Sequence, residues 1–118
     1  MTVVDKNELR KRMRQVRAEV DDRLFRSVDL WRQVAELPGY RAASTVMAFK
    51  GFGSEPDTMD FVRAVLASGR TLVLPRVDRE RKALVMHAVD TVEPSCGKLL
   101  PGPFGIREPD PGRCPVFE

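Results

Sequence analysis

Two places in this chain combine residue types that could do chemistry. Lys50 and Glu55 lie around a glycine-bearing turn in the stretch Ser44 to Thr58, STVMAFKGFGSEPDT. One cation and one carboxylate so placed can hold a polar ligand from two sides. A plain strand-to-helix connection would leave both solvated, and the two residues alone do not decide between these readings. Lys6 and Arg10 form the second place. They are four apart, so on a helix they project from the same side near its start. A cation pair beside unpaired helix N–H groups attracts a phosphate. The surrounding cluster also holds Lys11, Arg12, Arg14 and Arg17. Composition alone favours a solvated helix face for it.

Both places need elements to position them. Thr45-Val46-Met47-Ala48-Phe49 is an apolar run that suits a buried strand, covered on both faces. Gly51 and Gly53 break it, and Asp57 is a good N-cap for a helix over 58–68 with Phe61, Val62, Val65 and Leu66 inward. Gly69 is the residue past its end. Residues 71–74 make a second strand, closed by Pro75. Strand, helix, strand in so short a span implies a right-handed crossover and parallel pairing. In such sheets ligands bind at the carboxyl ends of the strands, where Lys50 and Glu55 sit. A charged turn, 78–82, leads to a third strand over 83–89.

Two helices come first. Residues 5–20 open with Asp5 and Glu8 as an aspartate form of the capping box. Leu9, Met13, Val16 and Val20 give them one narrow apolar stripe. Residues 22–37 carry a core stripe of Leu24, Val28, Trp31 and Ala35, widened by Phe25 and Val34. Pro38-Gly39 ends that helix, and 40–43 are a short link. From Asp90 onward prolines and glycines accumulate, which reads as a long loop and not a further element.

The 118 residues suffice for one small domain with a core of its own. A net charge of +3 suits an anionic partner without choosing among nucleotide, polyglutamyl tail and nucleic acid. Cys96 and Cys114 lack the spacing and histidine partners of a zinc site or a disulfide framework. His87, the only histidine, lies on a strand and reads as structural. No apolar run has the length of a membrane span or the form of a signal peptide, so the cytoplasm is the expected compartment. There is no phosphate-binding G-x-x-x-x-G-K-[ST], no G-x-G-x-x-G, no H-E-x-x-H and no G-x-S-x-G.

Taken in order, several short motifs resemble the 5-formyltetrahydrofolate cyclo-ligase (methenyltetrahydrofolate synthetase) family. They begin with Lys6-Asn7-Glu8-Leu9-Arg10, similar to the family's K-x-x-L-R, and continue through Arg23 and Ser27. Glu55-Pro56-Asp57-Thr58 is similar to its E-x-D-T. Leu74-Pro75-Arg76 and Phe104-Gly105-Ile106-Arg107-Glu108-Pro109 complete the set. Each is weak alone; their order along nearly the whole chain carries the resemblance.

The resemblance implies an α/β fold with a Rossmann-like layered parallel sheet, of the NagB/RpiA/CoA-transferase-like kind, led by two helices. It implies ATP-dependent closure of 5-formyltetrahydrofolate to 5,10-methenyltetrahydrofolate, releasing ADP and phosphate, with Mg2+. ATP would lie on the segment Lys6, Asn7, Glu8, Leu9 and Arg10, with Lys6 and Arg10 on its phosphates. Lys50 and Glu55 would touch the folate, and Phe104 would help wall the site. No catalytic residue and no metal ligand is assigned. The family continues beyond Pro109 with a glycine- and tyrosine-rich loop and a metal-binding aspartate that nothing here resembles. Residues 1–118 are therefore expected to form a single but incomplete domain, from a truncated or frameshifted frame or a fragment, with weak turnover. A monomer is expected. An inactive remnant that keeps the fold is one rival reading. A basic RNA- or polyanion-binding module is another, less favoured because such a surface gains nothing from Glu55 beside Lys50.

Overall fold

The middle of the sheet is set by Leu72, Val73 and Leu74, three successive residues buried on both sides of the chain. The computed structural model describes residues 5–51, 53–102 and 106–118. The three buried residues lie in β2 (Thr71–Asp78), between β1 (Thr45–Met47) and β3 (Ala83–Val89). β1 pairs with β2 in parallel, Thr45 opposite Thr71, and the helix between them, Met59–Ala67, makes the crossover that parallel pairing requires. That helix buries Phe61, Val62 and Val65 against Ala48, Leu72, Leu74, Val89, Val92 and Cys114. This is the α/β architecture that the sequence implies, with helices ahead of a sheet containing a parallel pair.

β3 turns the sheet mixed. It runs antiparallel to β2, with Leu74 opposite His87. The reason is the turn, too short for a crossover. Asp78 Oδ1 accepts the Arg81 N–H at 3.1 Å, and Lys82 takes a left-handed φ of 53°. Pro75 does not close β2; the strand runs through it to Asp78. The Val73 carbonyl accepts the Ala48 N–H at 3.0 Å, so backbone groups two residues further on face the same side. β1 has ended there, and a missing N–H at Pro75 breaks no ladder bond.

β1 is covered on one face only. Ala48 joins the core, but Met47 is 64% exposed and Phe49 42%. An apolar run does not report whether a second layer exists.

Residues 90–118 hold more than a loop. A 3-10 turn, Pro94–Cys96, precedes a hairpin of β4 (Leu99–Pro101) and β5 (Arg107–Pro109), with Leu99 opposite Pro109. The chain then returns to the free edge of β3. The Ala88 N–H donates to the Pro115 carbonyl at 2.9 Å and the Phe117 N–H to the Met86 carbonyl at 2.8 Å, with Val116 bridging His87. His87 is fully buried. Its Nε2 accepts from Arg76 Nε at 3.0 Å, so its Nδ1 carries the proton and donates to the Cys114 carbonyl at 2.9 Å. The ring is a structural latch.

The leading helices are α1 (Lys6–Ala18), α2 (Arg23–Ala35) and α3 (Pro38–Ala42); the crossover helix Met59–Ala67 is α4. Asp5 caps α1 as its capping box implies, accepting the Glu8 N–H at 2.8 Å. Two expectations fail here. The stripe Leu9, Met13, Val16 and Val20 meets no core; all four residues are exposed and α1 buries nothing. In α2 the expected stripe fails only in its first turn, where Leu24 and Phe25 are exposed, the latter 75%; Trp31 and Val34 pack against the core, Val28 and Ala35 are half-buried, and the fully buried residue is the polar Ser27. Pro38 also starts a helical turn as well as ending α2, since its fixed φ suits a first helical position. Arg70 closes that turn, donating from Nε to the Ala43 carbonyl at 3.0 Å and lying 4.4 Å over the Tyr40 ring. Among the described residues no helix is long and apolar enough to cross a membrane.

Candidate functional site: a cleft at the carboxyl ends of β1 and β2

The parallel pair ends at Met47 and Val73, and the chain leaves β1 through Phe49 and Lys50. A cleft of about 440 Å³ opens there. Phe49, Lys50 and Glu55 line it from the loop after β1. Leu74, Pro75 and Val77 of β2 form its floor with Leu84 of β3, and Ile106, Arg107 and Glu108 close the far side. The side chains placed on the folate by resemblance, Lys50 and Glu55, thus meet on one cleft, opposite the described part of the motif at 104–109. Phe104 lies outside the described residues. Glu108 anchors its wall, since its Oε2 accepts the Val77 N–H at 2.8 Å. That N–H faces the side where β1 has ended, so a side chain satisfies it in place of a strand.

The loop from Lys50 to Thr58 is held from both ends. The Gly51 N–H donates to Thr58 Oγ1 at 3.0 Å, and Thr58 is buried. A Cβ on Gly51 would stand 2.6 Å from the Pro56 carbonyl oxygen, so only glycine fits where the loop folds back on itself. Gly53 takes φ 59°, a conformation open to glycine at no steric cost. The N-cap of the following helix is Thr58, one residue on from the expected Asp57; the Asp57 carboxylate stands just before it, and its Oδ1 accepts the Met59 N–H at 2.8 Å.

The remaining anchors come from α2. The Asp57 N–H donates to Ser27 Oγ at 2.8 Å, the Trp31 indole N–H donates to the Asp57 carbonyl at 2.5 Å, and Arg23 donates to the Gly53 carbonyl. Arg23, Ser27 and Trp31 recur every four residues and share one helix face. Reading the helix by its apolar residues alone finds Trp31 but not the hydrogen-bonding role it shares with Arg23 and Ser27. The signal that could have found it is the i, i+4, i+8 recurrence of side chains able to donate or accept.

A comparison with known families decides what kind of protein this cleft belongs to. The 5-formyltetrahydrofolate cyclo-ligase family matches residues 2–117. The chain belongs to this family. Among solved structures, the NMR structure of the 5,10-methenyltetrahydrofolate synthetase of Aquifex aeolicus is similar at TM-score 0.74 and 25% sequence identity. The match covers 92% of this chain and 54% of that one, so the chain spans about half the length of that relative. No curated protein matches.

The other cyclo-ligase motif lies elsewhere on the molecule. Lys6, Asn7, Glu8, Leu9 and Arg10 occupy the exposed first turns of α1, and none of them lines the cleft. Asp5 already takes the Glu8 N–H, so a phosphate would meet the Lys6 and Arg10 side chains more than bare helix N–H groups. Those cations are exposed and of the right type to hold one. Among the described residues no three His, Cys, Asp or Glu side chains converge where a metal ion could bind.

Proposed function

We propose that this chain supplies the folate-binding cleft of an ATP-dependent 5-formyltetrahydrofolate cyclo-ligase. The reaction closes 5-formyltetrahydrofolate to 5,10-methenyltetrahydrofolate with release of ADP and phosphate, in the cytoplasm and by a monomer. The observation that carries the reading is the meeting of Lys50 and Glu55 on one cleft at the carboxyl end of the parallel pair, in a chain of this family. When bound, ATP supplies the phosphoryl group that makes the formyl oxygen a leaving group for attack by N10 of the folate. The chain's own part is binding and orientation. The Glu55 carboxylate can accept hydrogen bonds from the N–H groups of the pterin ring, while Phe49, Leu74 and Leu84 offer the flat ring an apolar wall. Lys50, on the same cleft, offers a cation to the carboxylates or carbonyls of the ligand. Lys6 and Arg10 hold phosphate from α1 by charge.

Glu55→Gln keeps the shape of the side chain and removes its charge. Hydrogen bonds to a charged group contribute about 1.5–3 kcal/mol, so folate affinity should fall at least tenfold while ATP binding stays the same. Titration calorimetry with 5-formyltetrahydrofolate measures this, and an unchanged affinity removes Glu55 from the site. Replacing Lys6 and Arg10 together by Ala should do the reverse, weakening ATP and sparing the folate. Equal loss of both ligands with the fold intact would contradict that division.

A further inference from the structure

We propose that Ser27 and Trp31 of α2 are positioning residues for the folate site, fixing the Glu55–Asp57 segment through both polar groups at Asp57. The inference rests on the folate reading of the cleft and adds to it the part that sets its geometry.

Asp57 is gripped through its N–H and its C=O at once. Ser27 is buried, and its hydroxyl proton is committed to the Arg23 carbonyl four residues back, at 2.7 Å. The hydroxyl oxygen is thereby left as an acceptor aimed at the loop, and the Asp57 N–H meets it at 2.8 Å. Trp31 takes the carbonyl of the same residue at 2.5 Å. Its ring is itself fixed by stacking on Phe61, with centroids 4.8 Å apart, and so does not swing with the loop. Between this clamp and Glu55 stands one residue, Pro56, whose ring locks φ. With so little rotational freedom between them, the position of the Asp57 backbone determines where the Glu55 carboxylate enters the cleft. A role in packing alone would be met by the apolar residues of α2. Val34 does pack against the core, yet Leu24 and Phe25 are left exposed while the buried polar Ser27 and the Trp31 indole N–H both reach Asp57. A ligand group bound by a preset carboxylate loses less freedom on binding than one that must order the loop first.

The test uses Ser27→Ala, which removes the acceptor, and Trp31→Phe, which keeps a ring against Phe61 and removes only the donor. Amide exchange and calorimetric titration with 5-formyltetrahydrofolate and with ATP are read on each variant and on the unaltered chain. The expected result is an Asp57 amide that exchanges faster in Ser27→Ala while the amides of β2 stay protected. Folate affinity should drop about tenfold in each variant, the size of one lost hydrogen bond to a buried group, with ATP affinity unchanged and Ser27→Thr restoring binding. Should Ser27→Ala also lose protection in β2, Trp31→Phe alone decides. Variants that bind folate as tightly as the unaltered chain overturn the positioning role and leave the cleft assignment standing. An unaltered chain that binds no folate overturns the cleft assignment, and this inference with it.

Discussion

α1 and α2 are each thirteen residues long, and both carry an apolar stripe at helical spacing. They use it in opposite ways. α1 shows its stripe to the outside and buries nothing. α2 exposes only the start of its stripe, Leu24 and Phe25, packs Trp31 and Val34 against the core, and brings Arg23, Ser27 and Trp31 to the loop that carries Glu55. Periodicity says that one face of a helix is apolar. It does not say that anything covers that face, nor that the covered face is the apolar one. Of the two helices, the one whose polar atoms reach the loop has the greater consequence for the site.

The sharpest way to break this contrast is truncation at matched positions. Trp31→Ala removes a ring stacked on Phe61 and leaves the Asp57 carbonyl without its donor, so unfolding free energy should fall by about 3 kcal/mol. Leu9→Ala or Met13→Ala on α1 should change it by no more than about 0.5 kcal/mol, as for surface substitutions in general. Urea unfolding of the three variants measures the difference. A loss at Leu9 as large as at Trp31 would mean that α1 is covered in solution.

A milder pair contrasts glycines. Gly51→Ala forces a Cβ against the Pro56 carbonyl oxygen, and overpacking of this kind costs about 1–3 kcal/mol. Folate affinity should suffer with it, because the loop must move. Gly39→Ala, inside α3 with nothing within 4 Å of the new atom, should instead stabilise the fold by about 0.5–1 kcal/mol. Thermal melts of the two variants should therefore shift in opposite directions.

The smallest effect is electrostatic. A hydrogen bond from Lys98 holds the Asp90 carboxyl below its ordinary range, and one from Arg63 does the same for Glu93. A carboxyl depressed in the folded state stabilises the fold above its unfolded pKa, and that contribution disappears as pH falls through the folded value. Melting temperature should therefore decline below about pH 4, the ordinary carboxylate range, and Asp90→Asn with Glu93→Gln should flatten that decline. Both pairs are exposed, so added salt should shrink the effect as well. An acid limb unchanged by the two substitutions would assign it to other groups.

The strands and α4 were legible because their signals are local. The apolar run at 45–49, the helix start next to Asp57, the inward residues of α4 and Gly69 past its end all act within a few residues of themselves. The same locality put Lys50 and Glu55 together on one turn, and both line one cleft. What escaped depends on distant partners. Pro75 could sit within β2 only because β1 ends where it does. The segment after Pro109 looked like loop because its prolines and glycines hide a backbone that pairs with β3. The anchors Arg23, Ser27 and Trp31 reach residues 26 to 30 positions away, beyond any spacing rule within one helix.

His87 carries a consequence for the order in which the chain assembles. It joins three stretches, β3 by its own backbone, β2 through Arg76, and the C-terminal segment through the Cys114 carbonyl. The first two are neighbours across a short turn, while the third lies 27 residues away. Closing the nearer pair costs less chain entropy, so we expect the β2–β3 hairpin to gather early and the C-terminal segment to dock late. In refolding kinetics Val89→Ala should then slow folding, whereas Cys114→Ala should mainly speed unfolding. A slowed folding limb for Cys114→Ala would place the latch in the rate-limiting step.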